Sequence, residues 1–152
     1  MSCLAHRAPR TLFSDALRAG APAALLSGLP STTYALLLRG NPLEATVAAG
    51  SVLLPREGRR GRLLLAAVPV HLALSAAWAI AMAAVLPRRH PLVEGTLAGL
   101  TIAALDLGVI GHRFPRIQAL QPVPQIADHI AFGITAAAVL ARLEESTRSS
   151  SG

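Results

Sequence analysis

Residues 92–111, LVEGTLAGLTIAALDLGVIG, decide the fold. The run is long enough to cross the hydrocarbon core of a bilayer, which takes about 20 residues of helix. Asp106 lies deep in its second half, and a carboxylate there costs roughly 2.5–3.5 kcal/mol on insertion scales. The run therefore predicts a membrane-crossing helix whose carboxylate needs partners elsewhere in the chain.

The composition of the whole chain agrees with a membrane protein. Of its 152 residues 53% are hydrophobic and 14% are charged, against roughly 25% charged in soluble domains. Ala and Leu supply most of the apolar side chains, and small residues let helices pack closely in a bilayer. All 14 basic residues are Arg and stand in short runs between the apolar segments. A nucleic-acid site would need a basic face with stacking aromatics, so no nucleic-acid partner is expected.

Three further apolar runs lie before and after residues 92–111. Together they predict a single membrane domain, residues 19–143, between a polar basic leader and a tail expected to be disordered. Pro22 and Pro30 should kink the first crossing. The tight turn of residues 87–91 should make the second and third crossings antiparallel neighbours. The predicted segments are the leader 1–18, the crossings 19–38, 63–86, 92–111 and 126–143, and the tail 144–152.

A short helix is predicted between the first two crossings, over about residues 42–54. Asn41 is the expected N-cap, Pro42 the first helical residue and Glu44 the third. The apolar part is too short to span a bilayer, so the helix should be interfacial or half-inserted. The fold class predicted is all-α: an integral membrane antiparallel four-helix bundle with this additional helix. Gly95 and Gly99, at small-xxx-small spacing, are a candidate close-contact face.

Polar residues of the four crossings fall in one half of the predicted bundle. At 1.5 Å of rise per residue, Asp106 lies about 7–8 Å below the membrane edge and His71 about 12 Å. Asp128 and His129 lie about 3–5 Å below the same edge, and the hydroxyl cluster about 6–10 Å. Glu94 is the exception, near the opposite edge, within reach of the interface or of the arginines before it. The candidate cluster comprises Ser31, Thr32, Thr33, Tyr34, His71, Asp106, Asp128 and His129.

Three roles fit this cluster. The favoured one is structural or partner-binding, in which Asp106 pairs with a histidine or accepts from hydroxyl groups and joins helices. The second is a small proton-linked transporter or channel subunit working through Asp106, His71 and His129. The third is a membrane-embedded metal-dependent enzyme using His71, Asp106, Asp128 and His129. Spacing supports the metal weakly, since neighbours such as Asp128 and His129 point about 100° apart on a helix.

No residue is assigned a catalytic role, and no cofactor is expected. Ser75 shares a helix face with His71, but no nucleophile elbow accompanies it, so Ser75 should bond back to the carbonyl group of His71. Trp78 is expected to be core packing. The one cysteine, Cys3, allows neither a disulfide framework nor a thiolate metal site.

Partners and location follow from the same pattern. The expected partners are the lipid bilayer and either a second copy of the chain or another membrane protein. The expected location is a bacterial plasma membrane, crossed several times. Seven arginines fall on each side of a four-crossing bundle, so the positive-inside rule favours neither orientation.

Several runs resemble a small group of actinobacterial integral membrane proteins of unknown function. The resemblance covers roughly residues 20–140. More loosely, residues 127–133, ADHIAFG, are similar to the last helix of four-helix membrane proteins such as the YagU-like family. The resemblance implies a small multi-pass membrane fold and carries no catalytic residue over to this chain. The runs are residues 28–32, GLPST; 41–46, NPLEAT; 48–50, AAG; 103–111, AALDLGVIG; and 113–117, RFPRI.

Overall fold

A computed structural model describes residues 9–150, and this part of the chain is helical with no strand. After α5 the chain continues through a π-helical segment, Ala104–Ile110, and a 3₁₀ turn, Gly111–Arg113. The helices are α1 (Pro9–Leu26), α2 (Leu29–Leu37), α3 (Glu44–Gly50), α4 (Arg60–Val85), α5 (Pro91–Ala103), α6 (Pro115–Gln118) and α7 (Pro122–Ser149). The predicted all-α class is confirmed.

Three helical stretches are long and apolar enough to cross a membrane: Arg60–Val85, Pro91–Arg113 and Pro122–Ser149. They contain the second, third and fourth predicted crossings. Only 28%, 22% and 33% of their most apolar windows are buried inside the protein. The rest of each surface carries exposed apolar side chains such as Leu65 and Val93. Water would not favour such faces, whereas hydrocarbon would.

Residues 19–38, predicted as the first crossing with kinks at Pro22 and Pro30, are not one continuous helix. α1 begins at Pro9, inside the expected leader, and ends at Leu26; α2 begins at Leu29. Residues 1–8 lie outside the described part. Pro22 remains inside α1, but Pro30 is in the first turn of α2. A proline has no N–H for the preceding turn and is tolerated best at a helix start, so the chain restarts there.

The short helix also differs from its prediction. α3 covers Glu44–Gly50 rather than residues 42–54, and its N-cap is Leu43. The side chain of Asn41 instead accepts hydrogen bonds from Leu43 N at 3.1 Å and from Arg60 Nη2 at 2.6 Å. α3 packs against the start of α4, where a Cβ on Gly50 would collide with the carbonyl group of Leu63. Gly50 therefore permits the close approach of these two helices.

The tail expected to be disordered is helical as far as Ser149, because α7 continues through it. Glu144 and Arg148 pair one turn apart on this last stretch, which favours helix. Residues 151 and 152 lie outside the described part, so the prediction for them is not addressed.

The core forms where α5 packs on α7 and α1 packs on α4 and α7. Between α5 and α7 the backbones touch: Gly95 faces Gly133 and Ile134, and Gly99 faces His129. The sequence predicts Gly95 and Gly99 as a close-contact face, and here they form one. The remaining core consists largely of buried alanines, with Leu63 and Leu140 its largest fully buried side chains.

The turn between α4 and α5 is held by Glu94. Its carboxylate accepts hydrogen bonds from the backbone N–H groups of Arg88, Arg89 and His90 at 2.7–3.0 Å. Arg88 adopts a left-handed backbone conformation with φ 63°, and its guanidinium donates to the carbonyl group of Ala83 at 2.7 Å. Glu94 therefore reaches Arg88 and Arg89, as the sequence suggests, but through the backbone rather than as an ion pair.

Candidate functional site

A cavity of about 860 Å³ lies between the two main helix pairs. α4 packs mainly on α1 and α3, and α5 packs mainly on α7. The cavity is half open, and it is bordered by the break between α1 and α2, by α3, by the first half of α4, by the π-helical segment and by the start of α7. Its walls are mostly aliphatic, and its polar groups come from the break between α1 and α2, from α2, α3 and α4, from the π-helical segment and from α7.

Asp106 is the central polar residue of this cavity. Its Oδ2 accepts a hydrogen bond of 3.0 Å from Trp78 Nε1 on α4 and lies 3.4 Å from His129 Nε2 on α7. Its Oδ1 is buried and has no hydrogen-bond partner among the described residues. One carboxylate thus joins three helical elements while half of its hydrogen-bonding capacity stays unused.

The π-helical segment positions this carboxylate. Asp106 is its third residue, and the segment follows α5 without a break. Wider π turns occur mostly as short insertions in α-helices, frequently at functional sites. Asp106 thus lies in the widened turn that follows the glycine contact, and it still reaches α7 through His129.

The partners of His129 fix its proton arrangement. Its Nδ1 lies 2.7 Å from the carbonyl oxygen of Gln125, so Nδ1 carries a hydrogen and donates it. Its Nε2 faces Asp106 Oδ2. A bare imidazole nitrogen and a carboxylate are both acceptors, so the contact is favourable only with one proton between them, on either group. Asp106 and His129 therefore hold one transferable proton.

Asp128 caps α2 from another helix. Its Oδ1 accepts a hydrogen bond of 2.8 Å from the backbone N–H of Ser31. In an unbroken helix that N–H would bond to the carbonyl group of Ser27, but the first turn of a new helix leaves it free. A carboxylate at a helix N-terminus is also favoured by the helix dipole.

His71 binds the other side of the same break. Its Nε2 lies 3.0 Å from the carbonyl oxygen of Ala24 near the end of α1, and the hydroxyl of Ser27 donates to that oxygen at 3.1 Å. A terminal carbonyl group is available because the last turn of a helix has no N–H donors ahead of it. The break between α1 and α2 thus supplies backbone partners to both His71 and Asp128.

The cavity brings together six of the eight residues of the predicted cluster. Thr33 and Tyr34 are exposed and do not line it. The six that line it are Ser31, Thr32, His71, Asp106, Asp128 and His129.

Five polar residues of the cavity were not in the predicted cluster: Ser27, Thr46, Ser75, Trp78 and Gln125. Trp78 was interpreted as core packing; it does pack against the core, and its indole also donates a hydrogen bond to Asp106. The spacing held a signal, because His71, Ser75 and Trp78 are four and three residues apart and so share one helix face. For Gln125, which acts through its backbone carbonyl group, no side-chain pattern could have indicated the role.

The residues do not assemble a metal site. Across residues 9–150, no group of three or more His, Cys, Asp or Glu is placed to hold an ion. His129 and Asp106 face each other, whereas His71 turns its Nε2 to a backbone carbonyl group. The ligand set that the metal-dependent alternative requires is thus missing from this part of the chain.

The predicted family resemblance gains no support from known proteins and stays a prediction. No family model, no curated protein and no solved structure matches this chain.

Proposed function

We propose that the chain is a multi-pass integral membrane protein with four antiparallel membrane segments. The broken pair α1–α2 forms the first, and α4, the stretch Pro91–Arg113 and α7 form the others. The order of the contacts along the helices supports this arrangement. Between α1 and α4, Gly20 faces Ala79 and Ala24 binds His71. Between α5 and α7, Gly95 faces Gly133 and Gly99 faces His129. In each pair one residue number rises as the other falls.

The proposed location is a bacterial plasma membrane, as the resemblance to actinobacterial membrane proteins implies. Exposed apolar faces on the three long helices support contact with lipid. The same faces leave room for a second copy of the chain or another membrane protein to pack. The arginines between segments are then headgroup contacts and topology signals.

Within this membrane protein, the cavity is the site of function, and it binds a small molecule that enters from the bilayer. The observation that carries this proposal is the 860 Å³ cavity with polar groups converging in it. Small-molecule sites typically measure about 300–1,000 Å³, with apolar walls and a few placed polar groups. The apolar walls suit the hydrophobic part of such a molecule, and the cluster around Asp106 suits its polar part.

A purely structural cluster explains the cavity less well. Polar groups that only joined helices would be expected to close upon one another. Here Asp106 joins its helices and still borders a half-open cavity of about 860 Å³.

The intrinsic fluorescence of Trp78 provides the test. Trp78 is the only tryptophan of the chain and lines the cavity. An amphiphile carrying a dansyl group, added to the protein in phosphatidylcholine liposomes, should quench Trp78 by energy transfer with a saturable component. Ala49→Phe, on the cavity wall, should abolish that component, and Ala84→Phe, an exposed residue of α4 away from the cavity, should retain it. Quenching that is linear and equal in both variants would overturn the proposal.

The second candidate is a proton-linked transporter or channel subunit, and one observation favours it. Asp106 and His129 share a transferable proton beside the cavity. If the proton is released as the ligand moves, Asp106→Asn should abolish pH-driven uptake in proteoliposomes while the protein stays folded. Unchanged pH-driven uptake would eliminate this candidate without affecting ligand binding.

A further inference from the structure

We propose that the cavity selects an amphiphilic cation: an ammonium group held at Asp106 and Asp128, with an apolar body along the aliphatic wall. This inference depends on the proposed function, since it names the chemical class of the molecule that the cavity binds. It is carried by the charge of the lining, the direction of the hydrogen bonds and the aromatic rings beside the carboxylates.

The charged groups of the lining point to a cation. Among the described residues that border the cavity, the carboxylates are Asp106 and Asp128, and no arginine borders it. This is unusual in a chain with a formal net charge of +6. His71 and His129 contribute positive charge only when their imidazole rings are protonated. Because Asp106 and His129 share one proton, that pair is neutral overall. With His71 neutral, Asp128 leaves the lining singly negative, which favours a positive ligand in a site of low dielectric constant.

The hydrogen bonds of the lining also favour a cationic ligand. Three N–H donors at the cavity are already used: Trp78 Nε1 donates to Asp106, while His71 Nε2 and His129 Nδ1 face backbone carbonyl groups. Donors from the protein would suit an anion or a carbonyl group, and these three N–H groups are already bound. The lining also holds hydroxyl groups and the Gln125 amide, which carry no positive charge. A ligand with N–H donors of its own complements carboxylates better than a ligand with acceptors.

The walls fit the apolar part of such a ligand. Leu72, Leu74 and Val52 are among the aliphatic residues of the lining, and Phe132 and Trp78 add two aromatic rings. A cation over an aromatic face gains about 0.5–2 kcal/mol, with Trp the best partner. Trp78 donates to Asp106 through the N–H edge of its indole, at 3.0 Å, so an aromatic ring and a carboxylate lie side by side in the lining.

A matched pair of probes tests the charge. Dansylcadaverine carries a primary ammonium group; its N-acetyl derivative has nearly the same shape and no charge. Both are titrated into the protein in liposomes of zwitterionic phosphatidylcholine, so that the bilayer does not attract the amine. Saturable energy transfer from Trp78 reports occupancy. We expect the amine to bind about tenfold or more tightly than the acetylated probe, a difference of about 1.4 kcal/mol.

Carboxylate variants locate the effect. Asp128→Asn keeps an oxygen that can accept from Ser31 N–H but removes the charge, so it should weaken amine binding about tenfold and leave the neutral probe unaffected. Asp106→Asn should do the same where it folds. Glu145→Gln, on the exposed distal part of α7, is the matched control and should bind like the unaltered protein.

The outcomes separate the two proposals. If both probes bind saturably with equal affinity and Asp128→Asn changes neither, the cation is wrong and the binding function stands. If neither probe gives a saturable signal, both the proposed binding function and the proposed preference for a cation are refuted. Tighter binding of the amine that is lost in Asp128→Asn and kept in Glu145→Gln supports the inference.

Discussion

Replacing Gly99 with alanine tests whether the glycine contact holds α5 and α7 together. A Cβ at Gly99 would lie 2.5 Å from the carbonyl oxygen of His129 and 2.6 Å from the Cα of Ile130. Ordinary contacts begin at 3.4 Å. The nearest of these atoms is therefore about 0.9 Å too close, and both belong to the backbone, so no side chain can rotate away. The two helices must separate locally.

The expected cost follows from this displacement. Overpacking of a well-packed interface typically costs about 1–3 kcal/mol. Alanine is favoured over glycine within a helix by roughly 0.5–1 kcal/mol, which offsets part of the loss. We therefore expect Gly99→Ala to lower the free energy of unfolding by about 1–2 kcal/mol. Because the collision involves the backbone of His129, the Asp106–His129 contact should weaken as well.

Equilibrium unfolding in detergent micelles measures the effect, with Gly108→Ala as the control. Gly108 belongs to the same long span, and a Cβ there would meet nothing within 4 Å. The control should be as stable as the unaltered protein or slightly more so. If Gly99→Ala is equally stable, the helices do not depend on this close approach, and the role assigned to the glycine row is refuted.

Three further predictions concern carboxylates. An asparagine at position 106 cannot share a proton with an imidazole as a carboxyl group does. We therefore expect Asp106→Asn to lower the free energy of unfolding by about 1–3 kcal/mol, measured by thermal unfolding. Glu94→Ala removes the acceptor of three backbone N–H groups before α5 and should cost about 0.5–2 kcal/mol, as for other lost caps. Hydrogen bonding from the Arg59 backbone N–H, and then from the Arg62 side chain, holds the pKa of Glu57 below its ordinary value of 4.5. The stability that Glu57 adds is thus fully present above pH 4.5 and lost as the pH falls through the lowered pKa, so the melting-temperature difference from Glu57→Gln should shrink over that range.

Each of the three carboxylate predictions has a control or an outcome that would contradict it. Glu145→Ala is an exposed carboxylate change on α7 and should leave stability within about 0.5 kcal/mol; a Glu94→Ala variant that behaves the same way would contradict the capping role. An Asp106→Asn protein of unchanged stability would show that this carboxylate does not join the helices. A melting-temperature difference for Glu57→Gln that stays constant at every pH would show that its ionised form is not stabilised in the fold.

Much of the candidate site was predictable because depth along a helix is a one-dimensional quantity. Counting residues from the loops at 1.5 Å each grouped His71, Asp106, Asp128 and His129 in one half of the bundle, and the structure places all four on one cavity. The same count placed Thr33 and Tyr34 in the cluster, but neither lines the cavity. Depth does not determine the direction of a side chain around its helix, and these two face outward.

The break between α1 and α2 shows why local propensity was insufficient. Pro22 and Pro30 were both expected to kink a single crossing, yet Pro22 stays within α1 and the chain breaks at Ser27 and Gly28. A break is favoured where other groups satisfy the freed backbone. Those groups, His71 on α4 and Asp128 on α7, are distant in the sequence, so the position of the break is a property of the assembled fold.

By itself the sequence determined the helical class, three of the long apolar spans, the glycine contact of Gly95 and Gly99, and the need of Asp106 for partners. Each follows from composition, run length or spacing within one segment. Only the tertiary structure decided that Asp106 binds Trp78 and His129, that a π-helical segment presents it, and that a cavity borders it. These depend on which faces of separate helices meet, and that is set by packing among segments distant in the chain.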